Sequence, residues 1–524
     1  MNVDAHAGEA DEDDEDDEEI TGGSAGRPAP GRRADRPYPA GGSAHAAGNT
    51  LTVAFSTDIV TLDPHQNTDL NTMQVLEQIY EHLVALGRDG TFHPVLAESW
   101  ELVDERTWKF KLRRGVHFHN GEDFTADAVK FTLERLADTK DPVRSGPSFR
   151  QNLAEVVVQD PLTVLIRTKA PYPDLLALLH LSGSVIPPKY FQSVGKERFA
   201  REPNGTGPYR FAAWRRDVQV TLQANERYWG GKPAFGEFVY RPMPEAAARV
   251  AALVKGEIDV AADVPAERVK ELESGRNTRV VSYPGQQIYI GIDTLKTGPL
   301  RDRRVRQALN YGIDVDAIVR DVLGGQAVRL NGPMFPTMVG YDSNLKVYPY
   351  DPERAKELLA QAGYPGGFNV ALDVPVGYQG AMKLKDVGET VVSYLKKLGV
   401  DVTLKLIEPA AATERYQAKQ FQMYFYAWGG DYVSGRILEI LLYSKTRGYY
   451  YQSPEADSMI AAYQGTMNLR RREELGRTLH RFLHEDAPFV FLYQERATLG
   501  LAKRLVWEPI VSDQRLHAAE FRAQ

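Results

Sequence analysis

The chain has 524 residues, 43% of them apolar, enough to bury substantial cores in two or more domains. It contains no cysteine, which excludes disulfides, thiolate metal sites, cysteine nucleophiles and iron–sulfur clusters together, and it has no run of about 18 apolar residues of the kind that crosses a membrane as a helix. The net charge of −7 is unevenly placed: residues 1–48 carry twelve acids against four arginines, so the remaining body is nearly neutral and offers no concentrated basic face for nucleic acid.

In chain order, residues 1–48 join an acidic run (11–19, DEDDEDDEE) to a Gly/Ala/Pro/Arg segment. Neither can bury enough apolar surface to offset ordering entropy, so the stretch reads as disordered. Residues 51–56 (LTVAFS) read as a short strand, and Leu62-Asp63-Pro64 turns towards a helix over 72–83. The least ambiguous stretch is 96–135. In 107–112, Trp108, Phe110 and Leu112 alternate with Thr107, Lys109 and Lys111, the two-residue period of a strand with one wet face. Asn120-Gly121 supplies a bend tolerant of positive φ. Thr125 then caps a helix with Asp127 in its first turn and Val129, Leu133 and Leu136 on one apolar face.

From 184 to 283 come short strands with Gly/Pro turns, such as 207–214 and 218–224, and a helix near 245–255. Residues 286–293 (QQIYIGID) are apolar enough for a buried strand. Helical regions follow at 301–321 and at 352–362, the latter stopped by Gly363, and a helix over 388–398 is closed by Gly399. Strands at 369–374 and 400–406 alternate with these helices, which indicates α/β packing. An amphipathic helix at 473–485 leads into 488–493.

The 96–135 stretch resembles the signature region of the family 5 extracytoplasmic solute-binding proteins of ABC importers, the oligopeptide, dipeptide and nickel-binding group. Residues 54–65 (AFSTDIVTLDPH), 204–209 (NGTGPY), 255–259 (KGEID), 303–314 (RRVRQALNYGID) and 485–493 (EDAPFVFLY) also resemble family landmarks, in the family's order, over about 440 residues. The resemblance implies an α/β, two-lobed periplasmic-binding-protein (Venus-flytrap) fold. Lobe one would comprise 49–82, 183–285 and 490–524, with a subdomain inserted at 83–182, and lobe two 286–489. The chain would cross between lobes at 286–293 and 488–493 and close on its ligand by hinge rotation there. It further implies a monomeric receptor that works without a cofactor, catalyses no reaction, and delivers a peptide-like solute to a membrane permease from a periplasmic or extracytoplasmic location. An exported member normally begins with a basic region and an apolar stretch. Residues 1–48 hold no such stretch, and the expectation is that the start is altered or mis-assigned. Nor do these residues contain the lipid-modified cysteine that many Gram-positive members carry.

The sharpest site candidate is Trp428-Gly-Gly-Asp431-Tyr432, a carboxylate on a glycine-loosened turn among aromatics, suited to a ligand ammonium. In peptide-binding relatives an aspartate at the matching place grips the peptide's amino terminus, a role the resemblance gives to Asp431; capping of the next helix would explain it equally simply. Lys383 and Lys385 lie near where relatives place a cation for the ligand carboxylate, and both also read as solvated residues at a helix start. Tyr289 and Tyr450, within the run 449–451, are either aromatic walls of the pocket or core residues. His480 and His484 share a helix face and His117 and His119 a strand face, yet neither pair has a third ligand in pattern, so no metal site is assigned. Arg301, Arg303, Arg304 and Arg306 read as a solvated face paired with Asp302. Nucleophile-elbow and phosphate-loop motifs are absent from the sequence. The competing ligands on the same scaffold are an oligosaccharide or a metal chelate such as nickel, and a hydrolase is the remote alternative.

Overall fold

The computed structural model describes residues 49–376, 383–429, 433–445, 450–509 and 515–524. Two long strands organise it, Thr278–Ile292 and Phe489–Ala502. They pair antiparallel in the middle of an eleven-stranded mixed sheet. At 15 and 14 residues each spans roughly 45–50 Å at the rise of a strand, far enough to serve two cores. Ile288, Ile290 and Ile292 are buried in one of them with Val490, Leu492, Leu372 and Phe425. Leu499 and Leu501 are buried in another with Leu51, Val53 and Tyr240. Between these blocks the apolar pattern lapses, with Ser282 and Arg496 exposed and Tyr283 and Gln494 half-buried. Two apolar blocks separated by a polar interval on one strand pair are buried in two bodies, and the fold is accordingly two-lobed. The expected segments 286–293 and 488–493 lie on these two strands but within the first core; the polar interval between the cores falls beside them, at 282–284 and 494–497, and both strands run on into the other lobe.

On one side of the crossing pair the sheet continues through Met423–Trp428, Asn369–Pro375 and Asp401–Ile407, which are mutually parallel. On the other side it continues through Val260–Ala261, Thr50–Phe55, Glu237–Pro242, Gln219–Ala224 and Tyr209–Arg215, with Thr50–Phe55 parallel to both neighbours. A separate four-stranded sheet is formed by Ala97–Asp104, Thr107–Leu112, Thr163–Thr168 and Leu153–Asp160. Trp108, Phe110 and Leu112 are buried as their alternation requires, against Val129, Leu133 and Leu136 of helix Ala126–Ala137. Thr107, expected on the wet face, is buried at the strand's start.

Three expectations are corrected. Helix Leu384–Lys396 begins four residues before Gly388. A Cβ at Gly388 would lie 3.1 Å from a Val374 methyl, so this glycine lets the helix lie close against its strand and does not open it. The 301–321 region is interrupted: Arg303–Tyr311 ends at Gly312, and Asp314 restarts the chain by accepting from the Ala317 N–H at 2.9 Å. Within it Arg306 is not solvated. It is buried and donates to the carbonyls of Leu300, Arg301, Asp486 and Ala487 and to the Asp486 carboxylate at 3.0 Å. Arg304, by contrast, pairs with Asp302 at the surface as expected.

Candidate functional site

Where the crossing strands change lobe, the sequence reads Tyr283-Pro284-Gly285-Gln286. Proline cannot donate to the ladder, and the pairing register shifts between Pro284 and Gln287. Gly285 is pressed on its partner strand: a Cβ there would lie 3.0 Å from the Glu495 carbonyl oxygen and 3.1 Å from the Ala497 nitrogen. Beside this irregularity lies a cavity of about 350 Å³, within the range of small-ligand sites.

Both halves of the sheet supply its walls. From one come Ser56, Asn71 and Gln74, together with Asp263 and Glu267. Ser56 follows strand Thr50–Phe55 and Asp263 follows Val260–Ala261, and these two strands are parallel neighbours. The site therefore lies at the carboxyl ends of parallel strands, where open α/β sheets leave room for ligands. From the other half come Leu323 and Lys383, and Gln286, Glu495 and Arg496 form the wall at the crossing strands.

Lys383 stands at the start of helix Leu384–Lys396 in a left-handed conformation, φ 50°. Its ammonium donates to the Val322 carbonyl at 3.2 Å, which leaves two of its three donors for other partners. Asp263 is also left-handed, φ 51°. Burial within the fold raises its pKa, with Arg249 and a hydrogen bond from Ser56 acting in the opposite sense.

The other expected residues are distributed as follows. Trp428 ends its strand paired with Gln287, next to the cavity-lining Gln286, and stacks on Tyr426 at 6.5 Å. Its indole N–H is buried without a partner among the described residues. Asp431 and Tyr432 lie outside the described residues; the strand leading to them ends at Trp428. Lys385 is an exposed helix residue paired with Glu389 at 3.9 Å and does not line the cavity. Tyr289 and Tyr450 are core residues, not cavity walls. Tyr289 has no exposed surface, packs on Phe489 at 5.1 Å and donates to Gln287. Tyr450 packs with Phe421 and Tyr424, and its hydroxyl donates to the carbonyls of Arg415 and Tyr416 at 3.3 Å. Tyr289 was expected at the site from its place on a crossing strand and Tyr450 from its tyrosine run; the strand is buried on both faces at Tyr289, and Tyr450 is enclosed by an aromatic cluster.

The histidine pairs are accounted for by packing. His480 is buried, accepts from the Asp342 N–H at 3.1 Å, and is held neutral by burial with its pKa lowered to about 4. His484 bonds the Asn331 carbonyl at 2.9 Å and stacks on Tyr348. His117 pairs with Asp123 at the surface, and His119 bonds the Gly207 carbonyl. Among the described residues no group of three or more His, Asp or Glu side chains is placed to hold a metal. Sequence reasoning missed Asp263, Glu267 and Arg496. Asp263 carried one usable signal, an acid at the end of a short apolar strand just before a proline.

Two lobes joined by a pair of strands, with a solute-sized cavity lined from both at the crossing, define a solute-binding protein. Residues 91–450 match the family model described as bacterial extracellular solute-binding proteins, family 5 middle, and the chain belongs to that family. It is 28% identical over 483 residues to glutathione-binding protein GsiB of Pectobacterium atrosepticum, covering 89% of this chain and 93% of that one. Among solved structures it resembles the periplasmic binding protein DppA of Helicobacter pylori in complex with the peptide STSA, with a TM-score of 0.79, 26% identity, and coverage of 91% of this chain and 98% of that one. It also resembles NikA of Brucella suis in complex with Fe(III)-EDTA, with a TM-score of 0.81, 26% identity, and coverage of 91% and 100%. These relatives are binding proteins.

Proposed function

We propose that the protein is the extracytoplasmic receptor of an ABC importer for a small peptide-like zwitterion, which it holds between its lobes and hands to a membrane permease. The observation that carries this reading is the charge layout of the cavity: a lysine enters from one half of the sheet and acids from the other. A solute with an ammonium at one end and a carboxylate at the other matches such walls. The glutathione and peptide named for two relatives have that character.

In this account Lys383 takes the ligand carboxylate. Asp431, three residues after Trp428 in the sequence, takes the ammonium. Asn369–Pro375 and Met423–Trp428 are parallel neighbours, so both strands end on the same side of the sheet. Ligand bridging both lobes favours the closed arrangement, and the closed shape is what a permease reads. The working unit is a monomer that makes and breaks no bonds, divided as 49–82, 183–285 and 490–524 for lobe one, 83–182 for the inserted subdomain, and 286–489 for lobe two.

Calorimetry against glutathione, unmodified tripeptides, oligosaccharides and a nickel–histidine chelate tests the reading. A peptide should bind, and Lys383→Met should weaken it by about 1.5–3 kcal/mol, one hydrogen bond to a charged group. Binding confined to sugars or to the chelate, or turnover of the peptide by the purified protein, would overturn it.

A further inference from the structure

We infer that Asp263 is a ligand-binding carboxylate that receives the cationic end of the solute from the lobe opposite Lys383. The inference rests on the peptide-like reading above and adds a residue to it.

Three features of its setting are hard to explain as packing. Its backbone is held left-handed, φ 51°, a strained conformation for a residue with a side chain. The strain is maintained by Arg249, a buried arginine at the helix Ala246–Lys255. Arg249 donates to the carbonyls of Ala262 at 2.9 Å, Asp263 at 3.4 Å, Met243 at 2.6 Å and Pro244 at 2.9 Å. The guanidinium is thus spent on backbone. The Asp263 carboxylate stands 3.9 Å from it, an ion pair without a hydrogen bond, so the arginine that fixes the turn takes up none of the carboxylate's acceptor capacity.

The side chain caps no helix. The helix that follows, Ala266–Ser274, starts after Pro265 with no side-chain cap. What the carboxylate does face is the cavity: it is 49% exposed and lines the space into which Lys383 also projects. Ser56 stands beside it as a hydrogen-bond donor. A carboxylate facing a cleft is stabilised in its charged form by an incoming cation. An ammonium has three donors, so this contact is additional to the one proposed for Asp431. Glu267, one helical turn on and also on the wall, strengthens the preference for a positive group at this end. The solute class that fits is an amine or amidine with a carboxylate at its far end.

The test is titration calorimetry of the full chain with an unmodified tripeptide and with the same peptide acetylated at its amino terminus, for the wild type and for Asp263→Asn. The asparagine keeps the size of the side chain and is checked for an unchanged melting temperature. The wild type should prefer the free amine. Asp263→Asn should lose at least tenfold in affinity for it and little for the acetylated peptide, so that the two converge. A variant that binds both peptides as the wild type does overturns the role of Asp263 and leaves the peptide reading standing. A wild type that binds neither peptide overturns the reading and this assignment together.

Discussion

Asp174 offers a test whose size follows from the coordinates. It precedes helix Leu175–Ser182 in the body carrying the four-stranded sheet, and it reaches residues packed beneath the crossing strands. One carboxylate oxygen accepts from Arg472 at 2.6 Å and the other from the Gly435 N–H at 2.9 Å. Both side chains of the ion pair are 7% exposed, and the guanidinium also lies 4.5 Å over the ring of Tyr463. Nearby, Met467 packs on the core of the four-stranded body, so the contact is apolar as well as ionic. Asp174→Ala leaves a buried cation without its counter-charge and an amide without its acceptor. Breaking one side of a buried pair costs about 3–5 kcal/mol. Removing both sides with Asp174→Ala and Arg472→Met should recover part of that loss, giving a coupling of about 2–3 kcal/mol in a double-mutant cycle. Urea denaturation of the four proteins measures it. If Asp174→Ala unfolds at the wild-type midpoint, the pair is not a stabilising contact in solution, and the two bodies part there without cost.

Two further outcomes follow. Glu81 is buried, and desolvation raises its pKa to about 7 despite hydrogen bonds from Trp229 and Tyr228. The folded state therefore binds a proton that the unfolded state has released between pH 4.5 and 7, and this group costs stability as pH rises through that window, by about 3 kcal/mol in all. Relative to wild type, Glu81→Gln should gain stability from pH 5 to about 7 and level off above it in thermal melts; parallel pH profiles would contradict the assignment, since the buried histidines are common to both proteins. At the hinge, Gly285→Ala places a methyl against the backbone of Glu495 and Ala497. It should cost about 1–3 kcal/mol and weaken peptide binding, and unchanged melting and affinity would show that the crossing strands are free to separate there.

Much of the architecture was legible because its signals are local. The alternation of Trp108, Phe110 and Leu112 gave a strand with the observed limits, and the apolar runs at 286–293 and 488–493 marked the two long strands, though not the interval at which they pass between cores. What was not legible depended on contacts between distant residues. Gly388 reads as a helix boundary until Val374 is seen against it. Arg306 reads as solvated until the carbonyls of Asp486 and Ala487, some 180 residues away, are seen around it. The site divides in the same way. Lys383, named through family position, lines the cavity, while Tyr289, chosen on a crossing strand, and Tyr450, chosen from a tyrosine run, are turned into cores. Asp263 escaped notice because its significance lies in where Arg249 spends its hydrogen bonds, which no spacing in the sequence records.

The account's central claim is capture of a small zwitterion in the cleft beside the crossing strands, and a crystal structure grown with saturating tripeptide tests it most directly. The account predicts density for the peptide inside the cavity, with its carboxylate at Lys383 and its ammonium towards Asp263. A peptide seated elsewhere on the molecule, or in the cavity with neither residue in contact, would contradict it.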